Sequence, residues 1–391
     1  MRAKRAYSPT VVAMAGLAAL ALPMGIGRFA FTPILPMMQV DAGLSVAAGG
    51  WLASANYVGT LLGALSAMAV RVPVPVAIRA GLVTIGIVTL AMGLEQHVSG
   101  WIALRVLAGI ATGWVLPFAS AWSLERLMPL QRPVLNATVF AGYGAGIAAA
   151  GGTCLALMHV HASSAQAWAS LGGFSLAVTA VIWPILHAEH DADSSEDQRA
   201  DARPRHRWDA ESARLVLCYG VFGFGYIIPA TFLPAMARQV IQDPSIFGWS
   251  WPIFGAAAAA APFAAARLAK SIGNRRLWSL GHLVMACGVV LPVVWPGIVP
   301  IMLSALLVGG TFTVITMAGF QEGREIGGVQ MIAAMASAFA VGQIAGPLAV
   351  SSVVRADGRF SAALVAAGLL LLASAWAVSR TGRHGRNLRR S

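Results

Sequence analysis

The stretch GIGRFAFTPILPMM at residues 25–38 returns as GFGYIIPATFLPAM at residues 223–236. The two align without a gap at an offset of 198 residues. Gly25 meets Gly223, Gly27 meets Gly225, Leu35 meets Leu233, Pro36 meets Pro234 and Met38 meets Met236, while Tyr226 takes the place of Arg28. The pair Gly50-Trp51 falls on Gly248-Trp249 at the same offset. Further along the offset grows to 200, and Gly109, Gly142 and Gly146 meet Gly309, Gly342 and Gly346, as a two-residue loop insertion would produce. Two similar halves, both very apolar, are the sequence mark of a membrane transporter built from repeats, with its working site between the halves.

Composition agrees. The chain is 58% hydrophobic and 11% charged, where soluble domains are about 25% charged. Twelve apolar runs follow one another, at 11–36, 45–69, 76–95, 99–121, 134–158, 167–187, 213–236, 246–268, 277–296, 299–320, 330–353 and 361–379. Each is near the ~20 residues that cross ~30 Å of hydrocarbon as a helix. The expected fold is therefore an all-α integral membrane protein with twelve transmembrane helices in two pseudo-symmetric six-helix halves. The first run follows Arg2, Lys4 and Arg5 and resembles a secretory leader, but it continues to Pro36 and its repeat partner is internal, so it reads as a first spanning helix.

The net charge of +12 does not point to nucleic acid. With both termini in the cytoplasm, 22 of the 27 Lys and Arg fall in cytoplasmic segments, and only Arg238, Arg355 and Arg359 lie opposite. That is the positive-inside bias, which sets orientation. The expected setting is a bacterial inner membrane, with the basic tail near anionic headgroups. Cys154, Cys218 and Cys287 lie in apolar runs without metal or disulfide spacing and read as small buried residues.

The domain reading is an N-terminal half at 1–187, a cytoplasmic linker at 188–212, a C-terminal half at 213–379 and a basic tail at 380–391. The linker has almost no apolar residues and cannot bury a core. His187, Glu189, His190 and Asp191 could be taken for metal ligands, but a polar tract of this kind supplies no fixed second shell. No cofactor is expected.

Several motifs carry a family resemblance. Residues 266–276, ARLAKSIGNRR, resemble the signature between helices two and three of the major facilitator superfamily. Leu268, Ala269, Gly273 and Arg275 match it, and Lys270 stands where the signature has its acid. RVLAGIATG at 105–113 resembles the superfamily's fourth-helix motif. GYGAGIAAAGG at 142–152 has the glycine spacing of its fifth-helix antiporter motif without the proline. The opening block, with GWLASANYVG at 50–59, is similar to the YbfB/YjiJ-type branch. The resemblance spans essentially the whole chain and implies the fold, not the cargo. For the fourth-helix Arg105 it implies a role in coupling.

Two charges stand inside the apolar runs. A charge at helix depth costs from ~2.5 to over 10 kcal/mol and usually faces a partner or a water-filled path. Arg28, with Thr32 one turn on, reads either as an anion-binding residue or as a structural arginine satisfying carbonyls near Pro33 and Pro36. Arg105 reads either as one half of a coupling pair with Glu95, a candidate proton carrier, or as an interfacial structural residue. All fifteen Asp and Glu lie in loops or at helix ends, which tilts the cargo toward an anionic or zwitterionic small molecule. Asn56, Tyr226, Thr313 and Gln343 are the polar candidates for the cavity, and helix packing is the competing account of each. Glu322 and Arg324, within QEGRE at 321–325, form a candidate inner latch, or simply a solvated helix end. Trp51, Trp101 and Trp249 read as interfacial anchors.

The leading expectation is a monomeric secondary transporter, possibly proton-coupled, that rocks its halves around Arg28 and Arg105. The alternative is efflux of hydrophobic drugs on the same fold. A non-transporting receptor or scaffold is the third reading. An enzyme is not expected: there is no HExxH and no P-loop, and Ser175 lacks a histidine partner.

Overall fold

In hydrocarbon every backbone N–H and C=O must be satisfied within its own segment, so apolar runs of this length close into helices. The computed structural model describes residues 7–69, 72–187, 208–241, 243, 246, 248–357 and 361–380. The first half holds α1 (Pro9–Asp41), α2 (Val46–Ala69), α3 (Val74–Leu94), α4 (Val98–Leu127), α5 (Pro133–His159) and α6 (Ser164–Ile182). The second holds α7 (Ala210–Val240), α8 (Ser250–Ile272), α9 (Asn274–Val294), α10 (Ile298–Gly328), α11 (from Gln330) and α12 (Ser361–Ser379). Among the described residues eleven of these are long and apolar enough to cross a membrane by length and composition, and the 24-residue α2 is the twelfth helix. Most of the linker, residues 188–207, and the tail from 381 lie outside the described residues, and α7 begins at Ala210, three residues before the expected 213.

Local chemistry sets the breaks. Ser8 caps α1, with Pro9 at its first position. Ser163 and Gln166 form a capping box on α6. Asp41, at the end of α1, accepts from Ser164 N (2.5 Å) and Ser164 Oγ (2.8 Å) at the start of α6. The helical stretch Ile298–Asp357 has 60 residues. Run straight it would be about 90 Å long, far more than a bilayer. It turns back at Gly327 and Gly328, the latter at φ +60°, a conformation open to glycine.

Glycine contacts recur in register with the repeat. A Cβ on Gly142 would lie 2.2 Å from the Leu17 carbonyl, and one on Gly342 would lie 2.2 Å from the Gly220 carbonyl. Thus α5 on α1 and α11 on α7 approach backbone to backbone at equivalent positions. The same holds for α4 on α2 and α10 on α8. Gly109 would meet the Asn56 carbonyl at 2.2 Å, and Gly309 the Phe254 carbonyl at 2.3 Å. Close small-residue seams of this kind replace the hydrophobic drive that lipid removes. The outer surface is correspondingly apolar, with Leu94, Val181, Leu217 and Val294 exposed.

The halves meet chiefly through α5 against α8 and α2 against the α10–α11 hairpin. On α5 the contact runs from Gly144, against Ala258 and Ala259, to Gly151, against Trp251 and Pro252. These residues run from the middle of α5 toward its C-terminal end. A cavity left there, lined by Pro33, Pro36, Leu155 and Trp251 among others, measures about 20 Å³, room for about one water.

Valine at Gly142 or Gly342 is expected to drive a helix pair apart, at a cost of about 1–3 kcal/mol or more. Alanine at Gly152 or Gly173, where a Cβ would meet open space, is expected to leave folding unchanged. Melting curves and size-exclusion profiles of the detergent-purified variants check this. Equal behaviour of the two pairs would refute it.

Candidate functional site

The site begins with a flaw in α1. Pro23 has no N–H, and residues 22–28 wind as a wider π turn in which the Phe29 N–H reaches the Met24 carbonyl at 3.1 Å. Beyond it the Thr32 N–H bonds to the Phe29 carbonyl (3.2 Å) rather than to that of Arg28. The carbonyls of Gly27 and Arg28 therefore turn toward side chains of neighbouring helices.

Those carbonyls are taken by Arg105 and Asn56. Arg105 Nη1 donates to Gly27 O (3.2 Å), Nη2 to Arg28 O (2.9 Å) and Nε to Leu52 O (3.5 Å). Asn56 Nδ2 donates to Gly27 O and to Arg105 O, both at 3.1 Å. The Arg105 guanidinium also lies over the Phe31 ring, 5.1 Å from its centroid. Both side chains are buried, and both spend their donors on backbone.

Arg28 is left free for other work. It is 4% exposed and donates through Nη2 to Gln343 Oε1 of α11, across the boundary between the halves. Gln343 Nε2 in turn donates to the Tyr226 hydroxyl at 2.8 Å. Arg28 Nε has no hydrogen-bond partner. Its cation lies 5.0 Å from the Tyr57 ring centroid and 5.5 Å from that of Phe29, both within cation–π range. No carboxylate pairs with it among the described residues. The two positions that the repeat superimposes, Arg28 and Tyr226, thus converge on opposite ends of one glutamine side chain.

Aromatic rings enclose this centre. Tyr226 stacks on Phe312 (4.7 Å between centroids) and on Phe339 (5.5 Å). Among the described residues two ring contacts bridge the halves: Tyr143 with Phe312 at 6.2 Å, and Phe29 with Trp251 at 5.5 Å, both edge to face. A buried cation, a neutral amide acceptor and ring faces thus gather at the boundary between the two helical halves.

Residues 20–379 match the model of the family described as "Uncharacterised MFS-type transporter YbfB". The chain belongs to this family. No curated protein matches the sequence. Among solved structures it is similar to the human organic anion transporter MFSD10 (TETRAN), with a TM-score of 0.69 and 17% identity over 96% of this chain and 100% of that one. A likeness at that identity is one of fold. Family and fold are those of multi-pass membrane transporters, not of enzymes.

Seen on this MFS frame, several expectations need correction. Glu95 does not reach Arg105. It sits at the end of α3, where its carboxylate accepts from Gln96 N (2.9 Å) and His97 N (2.8 Å) and meets the His97 ring at 3.0 Å. Those N–H groups, foremost that of His97, hold its carboxyl below the usual carboxylate range. Thr313 Oγ1 donates to Ala258 O (2.8 Å) and is a packing contact between α10 and α8. Thr32 lies half-buried one turn beyond Arg28. Glu322 does pair with a basic residue, Arg275 Nη1 at 3.6 Å, and Arg275 also pairs with Glu211 at 2.5 Å. All three belong to the second half, so these pairs staple α7, α9 and α10 to one another. Arg324 is exposed. Trp101 is buried and donates to Met92 O (3.1 Å) instead of anchoring at the interface. Cys287 is exposed, unlike Cys154 and Cys218. Among the described residues no group of three His, Cys, Asp or Glu is placed to hold a metal ion.

The ring residues Phe29, Tyr143 and Phe312 carry no distinguishing signal in the sequence, where aromatics in apolar runs look like core. Tyr57 does, as a polar neighbour of Asn56 on α2 and a candidate for the cavity.

Arg105 and Arg28 are expected to fail differently. Arg105→Lys leaves buried carbonyls of α1 without donors and should cost roughly 2–4 kcal/mol. Arg28→Ala removes a buried charge and should leave the melting temperature unchanged or raised. Thermal denaturation of both variants in detergent reads this directly.

The Glu95 carboxyl titrates below its unfolded value, so its contribution is present at neutral pH. It is lost as the pH falls from about 4.5 through the lowered folded value. The difference in melting temperature between wild type and Glu95→Gln should accordingly be seen at pH 7 and vanish in strong acid, with substrate flux at pH 7 unaltered.

Proposed function

We propose that the chain is a secondary transporter of a small organic anion or zwitterion, held at Arg28 and exposed alternately to the two sides as the halves rock. One observation carries the reading: Arg28 is buried at the boundary of the halves, with no carboxylate partner among the described residues, and its side-chain acceptor, Gln343, is neutral. A buried cation answered only by an amide and ring faces favours an incoming anion, because a charge-assisted pair is roughly twice as strong as a neutral hydrogen bond. The same architecture serves a human organic anion transporter, which supports the reading at the level of fold. The positive-inside bias supports a bacterial inner membrane with both termini cytoplasmic, and the apolar outer surface suits a monomer in lipid.

The aromatic lining favours the second reading, efflux of hydrophobic drugs, whose cargo would need the rings and not the charge. Purified protein in proteoliposomes separates the two. Counterflow of labelled small carboxylates and amino acids is expected for the wild type, with at least a tenfold loss in Arg28→Ala and in Arg28→Lys, whose single ammonium cannot replace the planar fork. Flux of lipophilic cations that survives Arg28→Ala, without carboxylate counterflow, would establish drug efflux instead. An imposed inward proton gradient should accelerate uptake if transport is proton-coupled and leave it unchanged for uniport or exchange.

A further inference from the structure

Arg28 offers one edge. Its Nε is unpartnered and its neighbouring Nη2 is held by the Gln343 amide oxygen. Those two nitrogens point their N–H groups in parallel, the spacing that a carboxylate meets with both oxygens. The second membrane cation cannot add to this. All three Arg105 nitrogens already end on the carbonyls of Leu52, Gly27 and Arg28. A second carboxylate on the ligand would find no free donor fork. An ammonium would find no carboxylate, only neutral acceptors such as the buried, unpartnered Asn56 Oδ1.

The body of the ligand is bounded by what closes the site. Among the described residues three side-chain contacts bridge the halves around Arg28: its own bond to Gln343, the edge-to-face pair of Tyr143 with Phe312, and that of Phe29 with Trp251. Parting the halves breaks all three. A flat ring carrying one carboxylate replaces two of them together. Its carboxylate takes the Arg28 edge from Gln343, and its ring takes the place of Phe312 against Tyr143. Gln343 then keeps its bond to the Tyr226 hydroxyl, so the released amide is not stranded.

We infer that the cargo is a planar aromatic monocarboxylate and that Gln343 stands in for its carboxylate when the site is empty. This rests on Arg28 being the anion site. The test is calorimetric titration of the full chain in detergent with benzoate, cyclohexanecarboxylate, acetate and terephthalate. Cyclohexanecarboxylate keeps the charge and the approximate size of benzoate but puckers the ring, and terephthalate adds a second carboxylate.

Benzoate is expected to bind roughly three- to tenfold tighter than cyclohexanecarboxylate, the usual range for an aromatic pair, with acetate and terephthalate weaker still. Gln343→Ala should tighten benzoate about tenfold by removing the competing acceptor, Gln343→Glu should abolish binding by an internal ion pair, and Tyr143→Leu should erase the preference for benzoate over cyclohexanecarboxylate. If all monocarboxylates bind alike and Arg28→Ala abolishes them, the aromatic inference falls and the anion site stands. Terephthalate binding more tightly than benzoate overturns the single-carboxylate limit. Benzoate binding that survives Arg28→Ala, or no carboxylate binding to the wild type, overturns both the inference and the anion site. Should the Gln343 variants not fold, the ranking of ligands on the wild type decides.

Discussion

A helix in a bilayer cannot leave its carbonyls bare, and α1 leaves those of Gly27 and Arg28 turned outward from its own ladder. The rest of the site follows from that constraint. Arg105 and Asn56, reaching from α4 and α2, supply the missing donors. The close seam at Gly109 against the Asn56 carbonyl holds α4 on α2, and Gly27, where a Cβ would lie 2.7 Å from Thr112 Oγ1, lets α4 come close to the break. With the break in α1 pinned, the Arg28 side chain projects across the boundary between the halves toward Gln343 instead of folding back on its own helix.

The two membrane arginines thereby divide the work. Either alone would present an ambiguous charge. Together they separate into a cation that spends its donors on backbone, and so acts on the fold, and a cation that keeps a buried, unpartnered Nε at the boundary of the halves. Sequence reasoning allowed Arg28 to be the structural residue that satisfies carbonyls near Pro33. The structure gives carbonyls of that segment to Arg105, 77 residues further on, and Arg28 to the interface.

The architecture was largely legible in the sequence, because it depends on features that are periodic or compositional. Apolar runs of helical length, the 198-residue echo and the glycines at 142 and 342 all act through local pattern, and they place helices and seams correctly. The site was legible only in its charges. Arg28, Tyr226 and Gln343 stand out as polar residues in apolar runs, but which of them touch is a matter of tertiary approach between segments 117 and 315 residues apart. The supposed pairing of Glu95 with Arg105 failed for the converse reason. Proximity along the chain suggested it, while two backbone N–H groups at the helix end satisfied the carboxylate more cheaply. The rings gave no signal because an aromatic residue facing lipid, core or ligand looks the same in one sequence.

The substitution of tyrosine for arginine between the repeats has a consequence for how such a molecule can arise at all. A faithful duplicate of the first half would bring two guanidinium groups together with no glutamine between them, since Tyr143 stands at the repeat position of Gln343, and like charges in a medium of low dielectric repel strongly. A faithful duplicate of the second half would bring two phenols and no charge. Symmetry serves the shell, whose glycine seams are copied nearly unchanged, but it is ruinous at the axis. Divergence at two pairs of positions, 28 with 226 and 143 with 343, turns a doubled scaffold into a polarised one, with the cation on the first half and its amide acceptor on the second.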